Sequence, residues 1–338
     1  MSKVVLVVVA LAVVAPAIWA AQPSVAPLAC LEPVQGVRWE RWMGTGDATL
    51  DAWCSSVGKP VLRSPIAVTG QDVAELQILS WNTKVGGGRA EELVSELKQD
   101  GAARGAGMLV LLQETFRGGW DVPDAYPRNL HVPHAIRPRR PAPDIVALAT
   151  ALDLWVAYVP SMRNGDSVDL STREDRGNAI LSTEPLSDVV AIELPFGEQR
   201  RVALAATVSP RGSRARPLRV IVFHFDADHR RSLQADALAD YIRSSPDTTR
   251  MPIVAAGDLN SRNGVDDGTV RALSASIRRE DCGSGRTFRL PLRIDAFFLG
   301  RLDFMFSTLD DVGLMRTCET LRDGLGSDHV PLLMTIRF

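Results

Sequence analysis

The strongest constraint in this chain is a series of short apolar runs that recurs from residue 76 to the C-terminus. They lie at Leu76–Trp81, Met108–Gln113, Leu154–Val159, Ala179–Ser182, Arg201–Val208, Leu218–Phe223, Ile253–Ala256, Leu302–Phe306 and Leu332–Ile336. Each has strand length and a content of Val, Ile, Leu and Phe that fits burial on both faces better than an alternating, half-wet ribbon. Helical periods separate several of the runs. Arg89–Gly101 places Leu93 and Leu97 four residues apart behind Glu91 and Glu92; Arg230–Arg243 carries Leu233, Ala237, Leu238 and Ile242; Asp144–Leu152 starts beside Pro143. Strands interleaved with helices predict one α/β domain over residues 71–338.

Five of these strands are bounded by polar residues in a similar way. Leu76–Trp81 ends in Asn82, the second run in Gln113-Glu114 and the sixth in His224. Ile253–Ala256 leads into Gly257-Asp258-Leu259-Asn260, and Ser327-Asp328-His329 precedes the last strand. A strand buried on both faces cannot hold a charge within its length, but its end can present one at the rim of a sheet. Carboxylates with amide oxygens suit a hard cation such as Mg²⁺, with Mn²⁺ as a substitute, while histidines supply protons or positive charge. Neither a G-x-S-x-G nucleophile elbow nor a G-x-x-x-x-G-K-[ST] phosphate loop occurs. Metal-assisted attack of water on a phosphoester follows best from these residues.

The ordered set Trp81-Asn82, Gln113-Glu114, Gly177-Asn178-Ala179-Ile180-Leu181-Ser182, His224, Gly257-Asp258-Leu259-Asn260, Leu302-Asp303 and Ser327-Asp328-His329 resembles the endonuclease/exonuclease/phosphatase superfamily. The resemblance covers about residues 76–338. It implies a four-layer α/β sandwich, two mixed β-sheets packed face to face with helices outside. It also implies that Asn82 and Glu114 hold Mg²⁺, with Asp328 at the metal directly or through water. Asp258 would deprotonate the attacking water and Asn260 would hold the scissile phosphate. His329, kept cationic by Asp303, would stabilise the developing charge, and His224 would donate a proton or contact phosphate. Asn178 and Arg176 are candidate substrate contacts, although Asn178 is equally suited to shaping a turn. Lys84 stands where abasic-site endonucleases usually carry an acidic residue, and the Trp-Cys-Asp-Arg signature of inositol phosphatases is absent around Arg301–Phe304.

Lys3 followed by the apolar run Val4–Ala15 and by Trp19, Ala20 and Ala21 reads as an export signal over residues 1–21, too short for a membrane span. Residues 22–70, with Pro23, Pro27, Pro33, Pro60, Pro65 and Trp39, Trp42 and Trp53, read as an extension packed on the main domain. In an exported chain four cysteines favour disulfides, and Cys30–Cys54 with Cys282–Cys318 is the most local of three pairings. The net charge of −2 excludes a constitutively basic coat protein, yet all but four of the 38 basic residues are arginine. That bias has a plain origin in codon composition, and the runs Arg137–Arg140 and Arg211–Arg219 serve equally as solvated charge or as phosphate contacts. His131, His134 and His229 lie outside the motifs, Gly86-Gly87-Gly88 reads first as a loop, and Phe297-Phe298-Leu299 reads as core rather than as a lipid wedge. The expectation is an exported monomeric phosphodiesterase of nucleic acid, with no obligate protein partner and with membrane contact only if the signal is retained or the substrate is lipid. The rivals are a phospholipid or phosphomonoester hydrolase and a silent binding module, the last opposed by the presence of Glu114, Asp258 and His329 together.

Overall fold

Strands apolar on both faces need a layer on each side, and the chain supplies one. The computed structural model describes residues 34, 36–41, 48–66, 72–123, 144–163, 173–261, 263–283, 285–289 and 300–338. The N-terminal apolar run, Cys30, Trp42, His131, His134, Arg137–Arg140 and Phe297–Leu299 lie outside these residues. The first sheet contains β2 (Val61–Arg63), β3 (Glu75–Asn82), β4 (Ala106–Gly118), β5 (Trp155–Arg163), β6 (Glu174–Ser182), β13 (Met315–Thr320) and β14 (Leu332–Arg337), in the order β13-β14-β3-β4-β6-β5-β2. The second contains β1 (Val37–Arg41), β7 (Leu186–Glu193), β8 (Val202–Val208), β9 (Leu218–His224), β10 (Ile253–Asp258), β11 (Arg278–Arg279) and β12 (Asp303–Ser307), in the order β1-β7-β8-β9-β10-β12-β11. Both sheets are mixed, with β3–β4, β9–β10 and β1–β7 parallel and the other pairs antiparallel.

Alternate side chains of each strand point to opposite faces, and this parity sorts the residues into three cores. Ile78, Leu109, Leu111 and Ile180 of the first sheet meet Leu204, Val220, Val254 and Met305 of the second in the central core. On the outside of the first sheet, Leu79, Val110 and Leu112 pack with Leu93 and Leu97 of α2 (Ala90–Arg104) and Leu148 of α3 (Ile145–Ala151). On the outside of the second, Ile221, Ala255 and Phe304 pack with Leu238 of α4 (Arg231–Ser244) and with Val270 and Leu273 of α5 (Gly268–Ser274). The result is the expected four-layer α/β sandwich.

Residues 37–63 join both sheets: β1 extends one edge beside β7, and β2 pairs with β5 at an edge of the other. Between them α1 (Ala48–Ser56) lays the buried Trp53 against Met162. Asp175, fully buried, accepts hydrogen bonds from Gly58 N (2.8 Å), Arg117 Nη2 (2.7 Å) and Tyr158 Oη (2.7 Å), so the N-terminal segment is tied down by polar contacts as well. Cys282 and Cys318 form a disulfide, and Cys54 is also disulfide-bonded, to a residue outside those described. Among the described residues no helix is long and apolar enough to cross a membrane.

Candidate active site

The site forms where the central core runs out. Ile78, Val222 and Ala256 face inward, and the same parity carried to the strand ends sets Asn82, His224 and Asp258 on that inward face. Register does the rest: Asp258 pairs with His224 of β9 on one side and with Asp303 of β12 on the other, so three functional groups stand abreast. From the opposite sheet, Asn82 pairs with Gln113 of β4. The β4–β6 ladder then slips between Leu112 and Thr115, leaving Gln113 and Glu114 opposite the single residue Asn178. Such a bulge re-aims a side chain, and Glu114 takes a left-handed φ of 52° within it. Lys84 (φ 51°), Val85 (φ 55°) and Asn260 (φ 49°) share that conformation nearby, at a cost of about 1–3 kcal/mol each.

Asp258 is the centre of the polar contacts. Its Oδ2 accepts from Asn82 Nδ2 at 3.0 Å and its Oδ1 from the backbone N–H of Asn260 at 2.8 Å. Burial, with the neighbouring Asp303 charge adding to it against the opposing pull of His329, raises its pKa to about 7. That is the range of an effective general base at neutral pH. His329 Nε2 lies 3.7 Å from Asp258 Oδ2, and its Nδ1 is 2.9 Å from Asp303 Oδ2. Burial alone would discharge His329; the carboxylates of Asp303 and Asp258 outweigh it and push the imidazole up to about 10. His329 is therefore an imidazolium at neutral pH, held from behind by Asp303 and by its own carbonyl, which accepts from Trp81 Nε1 at 3.0 Å.

His224 is set differently. Its Nδ1 lies 3.0 Å from Arg201 Nη1, and since guanidinium only donates, that nitrogen must accept and the ring proton sits on Nε2. Burial first, then Arg201, His329 and Arg176, hold its pKa well below 6.5. A neutral ring pinned in this way can donate a hydrogen bond from Nε2, which lies 3.5 Å from Asp258 Oδ2 and 3.8 Å from Glu114 Oε1, but it is not a standing acid. Asn260 Nδ2 donates to Phe225 O at 2.8 Å and lies 3.2 Å from His224 Nε2. Asn178 spends its amide on a bond across the sheets to Val202 O at 2.7 Å, and Arg176 Nη2 donates to Met162 Sδ at 3.0 Å. Both line a narrow cavity with Glu114, Arg201 and His224.

The oxygen donors fit a hard divalent cation. Among the described residues Glu114's carboxylate accepts no hydrogen bond, and its ion-pair contact is His224 Nε2 at 3.8 Å. Asn82 Oδ1 accepts from Lys84 N at 2.9 Å and keeps a second lone pair. Asp328 Oδ2 is engaged by Lys84 Nζ at 3.0 Å, so it meets a cation already supplied by the chain. A second cluster, Asp258, Asp303 and His329, also brings ligand atoms within 4.8 Å of one another. It suits a metal poorly, because an imidazolium hydrogen-bonded through Nδ1 has no lone pair to give.

Residues 79–329 match the model of the Endonuclease/Exonuclease/phosphatase family. The chain belongs to this family. Its members are hydrolases of phosphoester bonds and generally use divalent metals. No curated protein matches the chain in sequence. Among solved structures it is similar in fold to an endonuclease/exonuclease/phosphatase from Beutenbergia cavernae (18% identity, 78% of this chain and 72% of that one, TM-score 0.54). It is likewise similar to the human Nocturnin catalytic domain with bound sulfate anion (16%, 83% and 97%, TM-score 0.51). A family protein from Leptotrichia buccalis gives 12% identity over 78% and 100% of the chains, with a TM-score of 0.53.

For this family member the structure gathers Asn82, Glu114, His224, Asp258, Asn260, Asp303, Asp328 and His329 around one rim, with Arg176 and Asn178 below it. His229 stands apart, its side chain 87% exposed. Sequence reading missed Arg201, whose signal was its place at the mouth of a buried strand. It also missed the pairing of Lys84 with Asp328, and Thr287, a buried residue in a segment without apolar periodicity.

Proposed function

We propose that this family member is an exported Mg²⁺-dependent phosphodiesterase acting on nucleic acid by in-line attack of water. The observation that carries the reading is the pairing on one rim of a buried carboxylate raised to about 7, Asp258, with an imidazolium raised to about 10, His329. Groups of opposite duty, one taking a proton and one meeting negative charge, stand 3.7 Å apart. Glu114 and Asn82, with Asp328, are the residues that would hold Mg²⁺, which when bound polarises phosphate oxygens and neutralises charge. Asp258, oriented by Asn82 and the Asn260 amide, takes the proton of the attacking water. His329 and the Nε2–H of His224 face the phosphate oxygens as charge builds on them, and Asn260 holds the phosphate beside them. The P–O bond breaks without a covalent intermediate on the chain.

A groove of about 660 Å³ lined by Arg286, Arg289 and Arg322, which outnumber its one acidic residue Glu319, and by Phe288, whose ring meets that of His329, supports a polyanionic substrate over a small phosphomonoester. Export rests on the N-terminal apolar run, with residues 22–70 and 71–338 as extension and catalytic domain. The test is Mg²⁺-dependent turnover of plasmid DNA, single-stranded RNA and sphingomyelin in parallel, with Asp258→Ala beside the wild type. Cleavage of DNA or RNA that disappears in the variant is expected. Turnover of sphingomyelin alone would move the protein to the lipid-hydrolysing members, and silence on all three would remove the nuclease reading.

A further inference from the structure

The hydrogen bond between Asp303 and His329 joins two different sheets. Asp303 opens β12 of the second sheet, whereas His329 lies three residues before β14 of the first. No backbone ladder runs between these strands, yet the Nδ1–Oδ2 separation of 2.9 Å must be kept within a few tenths of an ångström. Thr287 lies between the two strand entries and is fully buried. Its Oγ1 accepts the backbone N–H groups of Leu302 (2.9 Å) and Asp303 (3.0 Å), while its carbonyl accepts the N–H of Val330 at 2.7 Å. One residue therefore bonds the backbone on both sides of the pair.

Its neighbours repeat the pattern. Phe288 forms a β-bridge with His329 and sets its ring edge-on to the imidazole at 4.9 Å, and the N–H of Arg289 donates to Asp328 O at 2.7 Å. Upstream, Cys282 is tied to β13 by the disulfide to Cys318 and by Thr320 Oγ1, which donates to Cys282 O at 2.7 Å. Three consecutive residues, 287–289, thus contact the backbone or ring of Asp303, His329 and Asp328.

We propose that Thr287 is a positioning residue for the Asp303–His329 pair, fixing through its hydroxyl and carbonyl the distance between the two sheets at which His329 Nδ1–H reaches Asp303. The assignment of a catalytic effect rests on the reading of that pair as the phosphate-facing cation; the geometric effect does not. A hydroxyl that accepts two successive amides cannot be replaced by an apolar group of the same shape without leaving both amides unpaired. The start of β12 then shifts to find other acceptors, and the pair lengthens. A displacement of this size costs up to about a hundredfold in rate while leaving the rest of the binding surface in place.

The test uses the full chain. The low-field proton resonance of His329 Nδ1–H, assigned by its loss in His329→Gln, is compared in wild type, Thr287→Ser, Thr287→Val and Phe288→Leu. Expected is retention in wild type, in Thr287→Ser, which keeps the oxygen, and in Phe288→Leu, which keeps the clamp. Thr287→Val should lose the resonance or move it upfield, with kcat down about tenfold to a hundredfold and KM nearly unchanged. Thr287→Ala removes the acceptor without adding bulk and serves if the valine variant does not fold. A wild-type resonance persisting in Thr287→Val or Thr287→Ala would overturn the inference, as would its loss in Thr287→Ser. If the wild type turns over no phosphoester, the functional reading fails by itself while the resonance still decides the role of Thr287.

Discussion

Replacing Asp303 by Asn should move the alkaline limit of activity to lower pH, and the acid limit in the same direction by less. Asp303 Oδ2 lies 2.9 Å from His329 Nδ1, nearer than the 3.7 Å from Asp258 to Nε2, and both His329 and Asp303 are buried. An asparagine can still accept the Nδ1–H, so the hydrogen bond survives while the nearer negative charge is lost. An opposite charge at this range is worth about 1–3 pH units of proton affinity, and in the variant Asp258 is left as the nearer carboxylate to offset burial. In wild type kcat/KM rises as Asp258 loses its proton through about 7 and falls as His329 loses its own through about 10. In Asp303→Asn the falling limb moves to lower pH by about 1–3 units, while the rising limb, freed of the Asp303 charge beside Asp258, moves the same way by less, so the bell shifts toward acid and narrows. A profile of kcat/KM from pH 5 to about 10.5, beside NMR titration of the His329 ring, reads both effects. The sign for stability agrees. A histidine whose folded pKa is raised contributes stability that is full below about 6.5 and is lost as the pH rises through about 10, and the variant should lack most of that slope. An alkaline limb unmoved in Asp303→Asn would refute the argument that Asp303 keeps His329 charged.

Three further outcomes follow from the geometry. Glu114→Gln removes the one carboxylate at the bulge and should weaken Mn²⁺ binding at least about tenfold by calorimetry; unchanged affinity would remove Glu114 from the metal site. Lys84→Met frees Asp328 from a partly exposed ion pair of 3.0 Å and should tighten Mn²⁺ binding about two- to fivefold. Equal affinity would show that Asp328 plays no part in holding the ion. Asp175→Asn leaves the buried Arg117 without its closest charge partner and should cost about 3–5 kcal/mol in urea unfolding, and a loss below about 1 kcal/mol would show that the network is dispensable.

The central strands were legible because burial on both faces writes them as unbroken apolar runs. β3, β9, β10 and β14 fall within two residues of where their runs predict, and the polar residues that stop them are the ones that line the rim. Edge and irregular strands left weaker traces. β13 alternates exposed and half-buried residues, β7 carries Ser187 and Asp188 at a slip in its ladder, and β1 and β2 are short edge strands. The individual site residues were readable as motifs, but their mutual relations were not. That Arg201 fixes the tautomer of His224, that Lys84 takes up Asp328 and that Asn178 bonds across to Val202 depend on which sheets face each other, which no local pattern encodes.

The two strands contributed by residues 37–63 have a bearing on how the molecule behaves in concentrated solution. Each lies along a sheet border, β1 on Val189–Glu193 of β7 and β2 on Val156–Tyr158 of β5, so the outward backbone groups of those stretches are already paired. A chain shortened to begin at residue 72 would keep the whole polar rim yet bare unpaired amides and carbonyls along those stretches, one on each sheet. Bare sheet borders recruit strands from other molecules. The N-terminal segment thus acts as a guard against self-association, and its loss should appear as concentration-dependent oligomers in light scattering well before any loss of the active-site geometry.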